Sequence, residues 1–434
     1  MVSYAFGVIL MIVGLLVSVA LHEVGHLVPA KKFGAIVSRY FVGFGPTLWS
    51  TMRKGTEYGI KAVLLGGYVS ILGMYRPGCP TDRGYRLGRR RLTLAAADAM
   101  EPEEREALKP TMAQEAREAS REELERWEGA GKPFYELPAW QKIVVMLGGP
   151  VMNLVLAVVF MAIALCAIGY QAPTTTLASV SPCVTTAEQC RPGDSPGPAG
   201  AAGLRAGDTI TSWGGTRVET WNEVKAAIAA GGDKAAEVGY VRNGVERSVM
   251  VQPVLVNGVP VAGVSAKLAH HRGGVQELGE ALWQTASGTA GIIVRLPQTL
   301  WQTVTDMVTG TPRDANSVMS VVGIARVSGE ITSSDAPSVS LADRAGSLLS
   351  LVASLNMALF IFNLIPLLPL DGGHIVSALF EGGRRAIARM RGLPDPGPAD
   401  TARMMPLVVV VWGLLAIMTV ILILADIINP LHLL

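Results

Sequence analysis

Residues 3–26, SYAFGVILMIVGLLVSVALHEVGH, decide the fold class. No charged side chain occurs in 3–21, and about 20 apolar residues in a row cross a bilayer's hydrocarbon core as a helix. A cleaved signal peptide would need a basic stretch before the apolar run and a small-residue cleavage site after it; neither is present. The run therefore reads as a transmembrane helix with His22, Glu23 and His26 at one end. Ionisable groups at that depth cost about 2.5 kcal/mol or more each unless they have a function.

Further apolar runs occur at 143–170, preceded by Lys142, at 348–370 and at 406–428. The whole chain agrees with a membrane protein: 50% of its 434 residues are apolar, only 17% are charged, and the mean hydropathy is +0.37. Typical globular chains carry about 25% charged residues. A net charge of +2, with no basic patch among aromatics, argues against nucleic-acid binding. Four cysteines without a C-x-x-C pair exclude a disulfide-dense scaffold and a zinc ribbon.

Four spans put both termini on one side. Lys31, Lys32 and Arg89–Arg91 follow the first span, and Arg384, Arg385, Arg389 and Arg391 follow the third, so those loops are expected in the cytoplasm. Residues between spans 2 and 3 are then extracytoplasmic. The expected divisions are 1–75 (first helix and a β region), 76–140 (a charged cytoplasmic loop), 141–170 (second helix), 171–266 (an outer module), 267–347 (an amphipathic linker) and 348–434 (the last two helices). Within the cytoplasmic loop, 101–128 is rich in Glu, Arg and Ala and reads as a solvated helix or a disordered spacer. Val275 to Gly310 is amphipathic enough to lie on a membrane surface. Cys183 and Cys190 share the outer segment, where a bridge between them is feasible, whereas Cys79 and Cys166 read as free thiols.

The H-e-x-x-H spacing at 22–26 places both imidazoles on one helix face, where they can share a metal, with Glu23 beside them as a base for activated water. Two His and one carboxylate suit zinc with a position left for water. The third ligand has one comparable source, Asn363-Leu-Ile-Pro-Leu-Leu-Pro-Leu-Asp371-Gly-Gly-His374. Pro366 and Pro369 interrupt helical hydrogen bonding there. Asp371 lies at the same expected depth as the histidines, where a desolvated carboxylate calls for a cation; a helix cap is its plainer reading, and His374 a competing ligand. Tyr58 to Ile71 holds strand-like stretches around Gly66-Gly67-Tyr68, an edge that could pair with an unwound substrate or simply pack.

These features together resemble the site-2 protease family of intramembrane zinc metalloproteases. H-e-x-x-H in the first span, N-x-x-P-x-x-x-L-D-G-G in a later one, Gly148-Gly149-Pro150-Val151-Met152-Asn153 opening span 2, Gly43–Pro46, Gly66–Val69 and Ser320–Ala325 all take part, and the wording is most similar to actinobacterial members. The resemblance implies a polytopic α-helical protein with four transmembrane helices, a membrane-associated β-hairpin region and an inserted extracytoplasmic PDZ domain. It implies one zinc held by His22, His26 and Asp371, Glu23 as general base, Asn363 as a holder of substrate or oxyanion, and single-pass membrane substrates such as anti-sigma factors. Asn153 and Asn356 are read instead as helix–helix hydrogen bonds. Met74 departs from the family, many of whose members carry an acid there. Residues 195–210, ending A-G-L-R-A-G-D-T-I, look like the signature of the PDZ domain, which takes a peptide onto a sheet edge.

Two other classes compete. A transporter would show repeated halves, and none is visible. A silent scaffold binding clients through the outer module has no need of Glu23 beside two metal-ligand histidines.

Overall fold

The computed structural model describes residues 2–184, 195–256, 258–311, 313, 317–333 and 339–430. Two compact units divide the chain: Met1–Ala164 with Val275–Leu434, and Leu165–Gly274.

Four helices of the described residues are long and apolar enough to cross a membrane: Ser3–Lys32, Ala139–Ile168, Leu341–Asn363 and Thr401–Ile428. The first is longer than a bilayer core requires. Its helix, Val2–Lys32, runs about 46 Å, so the turns after His26 extend beyond about 30 Å of hydrocarbon. The third differs in register from the apolar run at 348–370. A capping box between Ser340 and Asp343 starts it seven residues earlier, and it stops at Asn363. Leu364 to Leu370, with Pro366 and Pro369, is not helical, and Asp371 opens a separate helix, Asp371–Met390.

The first and second spans cross in backbone contact. A Cβ on Gly25 would lie 2.2 Å from the Gly148 carbonyl oxygen, and one on Gly148 2.0 Å from that of Gly25. Only glycine fits at both places, and small residues are what let membrane helices approach this closely. Lys142, at the start of the second span, is buried against Glu381 at 2.8 Å and so ties that span to the Asp371–Met390 helix.

The expected β region is a long hairpin, Val37–Arg53 and Thr56–Ile71. Its register is doubled: residues 39–42 pair with 57–60 on one side and with 67–70 on the other. The second strand therefore bends back round the first, and the bend falls at Gly66, whose φ of +119° and contact with the Phe44 ring leave no room for a side chain. Among the described residues, 67–71 is left as an edge of this small sheet.

The charged loop is not solvated throughout. Met112–Glu125 is a helix capped by Thr111, and Gln114, Ala116, Arg117 and Ser120 on one of its faces are buried. Arg117 reaches Asp400 at 2.5 Å, Arg76 reaches Asp82 at 3.0 Å and Asp400 at 3.2 Å, and Arg403 reaches Asp82 at 2.7 Å. Charges rather than apolar side chains dock this helix. The amphipathic stretch beginning at Val275 forms two helices, Val275–Val294 and Leu296–Thr309, broken before Pro297.

The unit Leu165–Gly274 is built on a sheet whose strands run in the order Val245–Val251, Ala236–Arg242, Thr209–Trp213, Tyr170–Val180, Val264–His271. Helix Trp221–Gly231, started by a Thr220–Glu223 capping box, sets Val224 and Ile228 into a core with Leu177, Ile210, Trp213 and Val238. Gly214–Gly215 and Asn243–Gly244 are turns, and Asn243 and Gly244 have the positive φ of a tight hairpin. Asp208 accepts from the Arg205 N–H and from Arg242, each at 2.7 Å, and Arg242 holds its carboxyl below the usual range. Cys183 is disulfide-bonded and Cys79 and Cys166 are free; Cys190 lies outside the described residues.

Candidate active site

The H-e-x-x-H turn lies on an unbroken helix, so His22 and His26 are stacked one turn apart, their Nε2 atoms 3.2 Å from each other. Asp371, first residue of its helix, brings Oδ2 to 3.4 Å from both nitrogens. The three ligand-capable atoms lie within 4.8 Å of one another, although 345 residues separate His26 from Asp371. Asp371 Oδ2 is buried and accepts no hydrogen bond, a position that suits a cation. Each histidine is turned by its far nitrogen: His26 Nδ1–H donates to the Val145 carbonyl at 2.8 Å, and His22 Nδ1 meets the Asn153 carboxamide at 3.1 Å. Gly149 makes room for both rings, since a Cβ there would lie 2.2 Å from His26 Nε2 and 2.7 Å from His22 Nε2. Two imidazoles and a carboxylate converging on one point are the donor set of a catalytic zinc site.

Glu23 stands beside this group. Its Oε2 accepts the Val69 N–H at 3.0 Å, so the sheet edge 67–71 is bonded to the carboxylate next to the three ligand atoms. Tyr68 stacks on Phe41 and Phe44, and Gly67 passes Glu23 so closely that a Cβ would be 3.6 Å from its Cγ. Gly66 instead faces the Phe44 ring. A cavity of about 930 Å³ joins these parts, and His22, Glu23, Tyr68, Asn363, Asp371 and His374 all line it. Met74, also in its wall, packs on the apolar cluster around Leu27 and Ile71, which gives that position a packing role. His374 lines the same cavity but is not among the three side chains whose ligand-capable atoms converge.

Residues 10–392 match the model of Peptidase family M50. The chain belongs to peptidase family M50. It is 30% identical over 457 residues to the zinc metalloprotease Rip1 of Mycolicibacterium smegmatis, covering 99% of this chain and 98% of that one. Rip1 of Mycobacterium tuberculosis strain H37Rv is equally similar, with 99% of each chain covered, and the metalloprotease MmpA of Caulobacter vibrioides is 25% identical over 86% of this chain. This M50 member is a zinc metalloprotease of the site-2 protease type and a multi-pass membrane protein.

Two contributors to the M50 site escape a reading of motifs. Asn153 is fully buried against His22, from 131 residues away. Ala116, Ala119, Ser120 and Glu123 of the loop helix line the cavity that holds His22, Glu23 and Asp371. The first had a signal in the G-G-P-x-x-N string; the second had none, because a charge-rich helix docked by ion pairs reads locally like a solvated one.

Proposed function

We propose that this chain is an intramembrane endopeptidase that cuts single-pass membrane proteins, anti-sigma factors among them, inside the transmembrane segment near its cytoplasmic end. The reading is carried by one observation: His22, His26 and Asp371 converge at a point flanked by Glu23, and Glu23 is bonded to a sheet edge. His22, His26 and Asp371 are the zinc ligands in this account. Zinc, when bound, supplies a Lewis acid that makes a coordinated water acidic enough to act near neutral pH. Glu23 takes the water's proton and returns it to the departing amine, held in place for both steps by the Val69 N–H. Asn363 turns its amide toward the scissile carbonyl and stabilises the charge that grows on its oxygen. The edge 67–71, with Gly66, Gly67 and Tyr68, pairs with the substrate after its helix unwinds, because a helical peptide hides the carbonyl to be attacked.

The excess of Lys and Arg after spans 1 and 3 supports a cytoplasmic hairpin and extracytoplasmic termini. The unit Leu165–Gly274 is then extracytoplasmic, and we assign it as a PDZ domain acting as a substrate filter. Among the described residues, strand Val264–His271 is one of the sheet's two edges, and a groove of about 570 Å³ lined by Val264, Ser265, Trp221, Lys225 and Ile228 has the form of a peptide site. The test is mass spectrometry of the products from a single-pass substrate co-reconstituted in liposomes. A cut within the apolar segment supports the proposal; cuts confined to flanking loops would contradict it.

A further inference from the structure

Asn153 is completely buried in the second span and points one end of its carboxamide at His22 Nδ1, 3.1 Å away; the other end, Oδ1, has no hydrogen-bond partner. A buried amide oxygen without a partner costs about 1–3 kcal/mol, so its presence needs a reason. The nitrogen and oxygen of a carboxamide have the same shape, and a half-turn about its last bond exchanges them. With Nδ2 inward, His22 Nδ1 must accept, and its proton sits on Nε2, facing Asp371 Oδ2 and His26 Nε2 at 3.4 and 3.2 Å. That arrangement suits a group of three side chains without a cation. With Oδ1 inward, Nδ1–H donates to that oxygen, Nδ2 takes the oxygen's former place, and the Nε2 lone pair faces the same point. The second arrangement is the one a metal requires.

We propose that Asn153 is a positioning residue for His22, its amide oxygen accepting Nδ1–H and thereby presenting Nε2 as a ligand. His26 is served the same way by a fixed backbone acceptor, the Val145 carbonyl. The two histidines thus have matching supports from the second span, one a carbonyl of the main chain and one a carbonyl of a side chain. Gly149, between them, lets that span come near enough to provide both.

The proposal rests on His22 being a zinc ligand. Zinc affinity of the purified full chain is measured by competition with a chelating dye, for wild type, Asn153→Asp and Asn153→Leu, each with its unfolding midpoint. Asn153→Asp keeps an acceptor and discards the donor; Asn153→Leu discards both. The expected result is near-wild-type or tighter zinc binding in Asn153→Asp and about 10- to 100-fold weaker binding in Asn153→Leu. A second readout separates the hydrogen bond from the added charge: in zinc-loaded protein labelled with ¹⁵N-histidine, the His22 Nδ1–H resonance is protected from solvent exchange in wild type and Asn153→Asp and unprotected in Asn153→Leu. Equal loss of zinc in both variants would show a donor or purely packing role and overturn the proposal, as would unchanged zinc in Asn153→Leu. If Asn153→Leu does not fold, Asn153→Asp and the resonance still decide. Failure of the wild type to bind zinc would end the ligand assignment instead.

Discussion

The Val69 backbone N–H donates to Glu23 Oε2 at 3.0 Å, linking the hairpin edge to the residue beside the converging ligands. One carboxylate oxygen is thus fixed by main chain that also forms the floor of the cavity. Displacing the strand should disturb catalysis without disturbing the metal. A Cβ on Gly67 would lie 3.0 Å from the Phe41 carbonyl oxygen and 3.6 Å from Glu23 Cγ, so the branched side chain of Gly67→Val must push the edge outward. The expected outcome is normal zinc content with cleavage reduced about 100-fold, the cost of roughly an ångström of misplacement. Parallel zinc analysis and product quantification check it.

Asp371→Asn keeps the shape of the side chain and removes the charge that offsets the cation. Ligand-supporting groups outside the coordination shell are worth about 10- to 100-fold in affinity, so losing this carboxylate should cost at least about 100-fold in both zinc affinity and cleavage. Chelator competition measures the first. Full zinc content and full activity would remove Asp371 from the ligand set and turn attention to His374.

The docked loop helix should respond to acid. Burial raises the Asp82 carboxyl, but the Cys79 N–H, Arg403 and Arg76 outweigh it and hold the group at about 2, against 3.8 for an ordinary aspartate. A carboxyl depressed in the folded state stabilises it fully above its unfolded value and loses that contribution as pH falls from 3.8 toward 2. Pepsin nicking within 101–130 should therefore rise across that window in wild type. Asp82→Asn should already be nicked faster at pH 4 and change little below it.

How much of this could be read in the sequence depends on how local the signal is. Spans 1, 2 and 4 announce themselves by unbroken apolar length, and H-e-x-x-H by its spacing on a helix. The third span was displaced because its start depends on a polar cap, Ser340 with Asp343, and its end on prolines inside an otherwise apolar run. The hairpin's doubled register was hidden because the bend at Gly66 needs a backbone conformation rather than a pattern. Arg117 looked solvated since its partners, Asp82 and Asp400, lie in other segments, and Asn153 looked structural since His22 lies 131 residues away. Pairings between distant polar residues leave no periodicity to detect.

Sidedness has its own probe. Cys79 is an exposed free thiol in the loop proposed to be cytoplasmic. A thiol reagent that cannot cross membranes should label it only after cells are opened. Labelling in intact cells would invert the proposed orientation, hairpin and outer unit together.

The most direct test of the account is cleavage of a single-pass membrane substrate by the purified protein and by Glu23→Gln, with zinc measured on the same samples. The glutamine keeps the Val69 hydrogen bond and leaves His22, His26 and Asp371 untouched, but it cannot take a proton. The account predicts wild-type zinc content and cleavage reduced by about 100-fold or more, in keeping with the loss of a general base. Cleavage by Glu23→Gln at close to the wild-type rate, with zinc still bound, would contradict it.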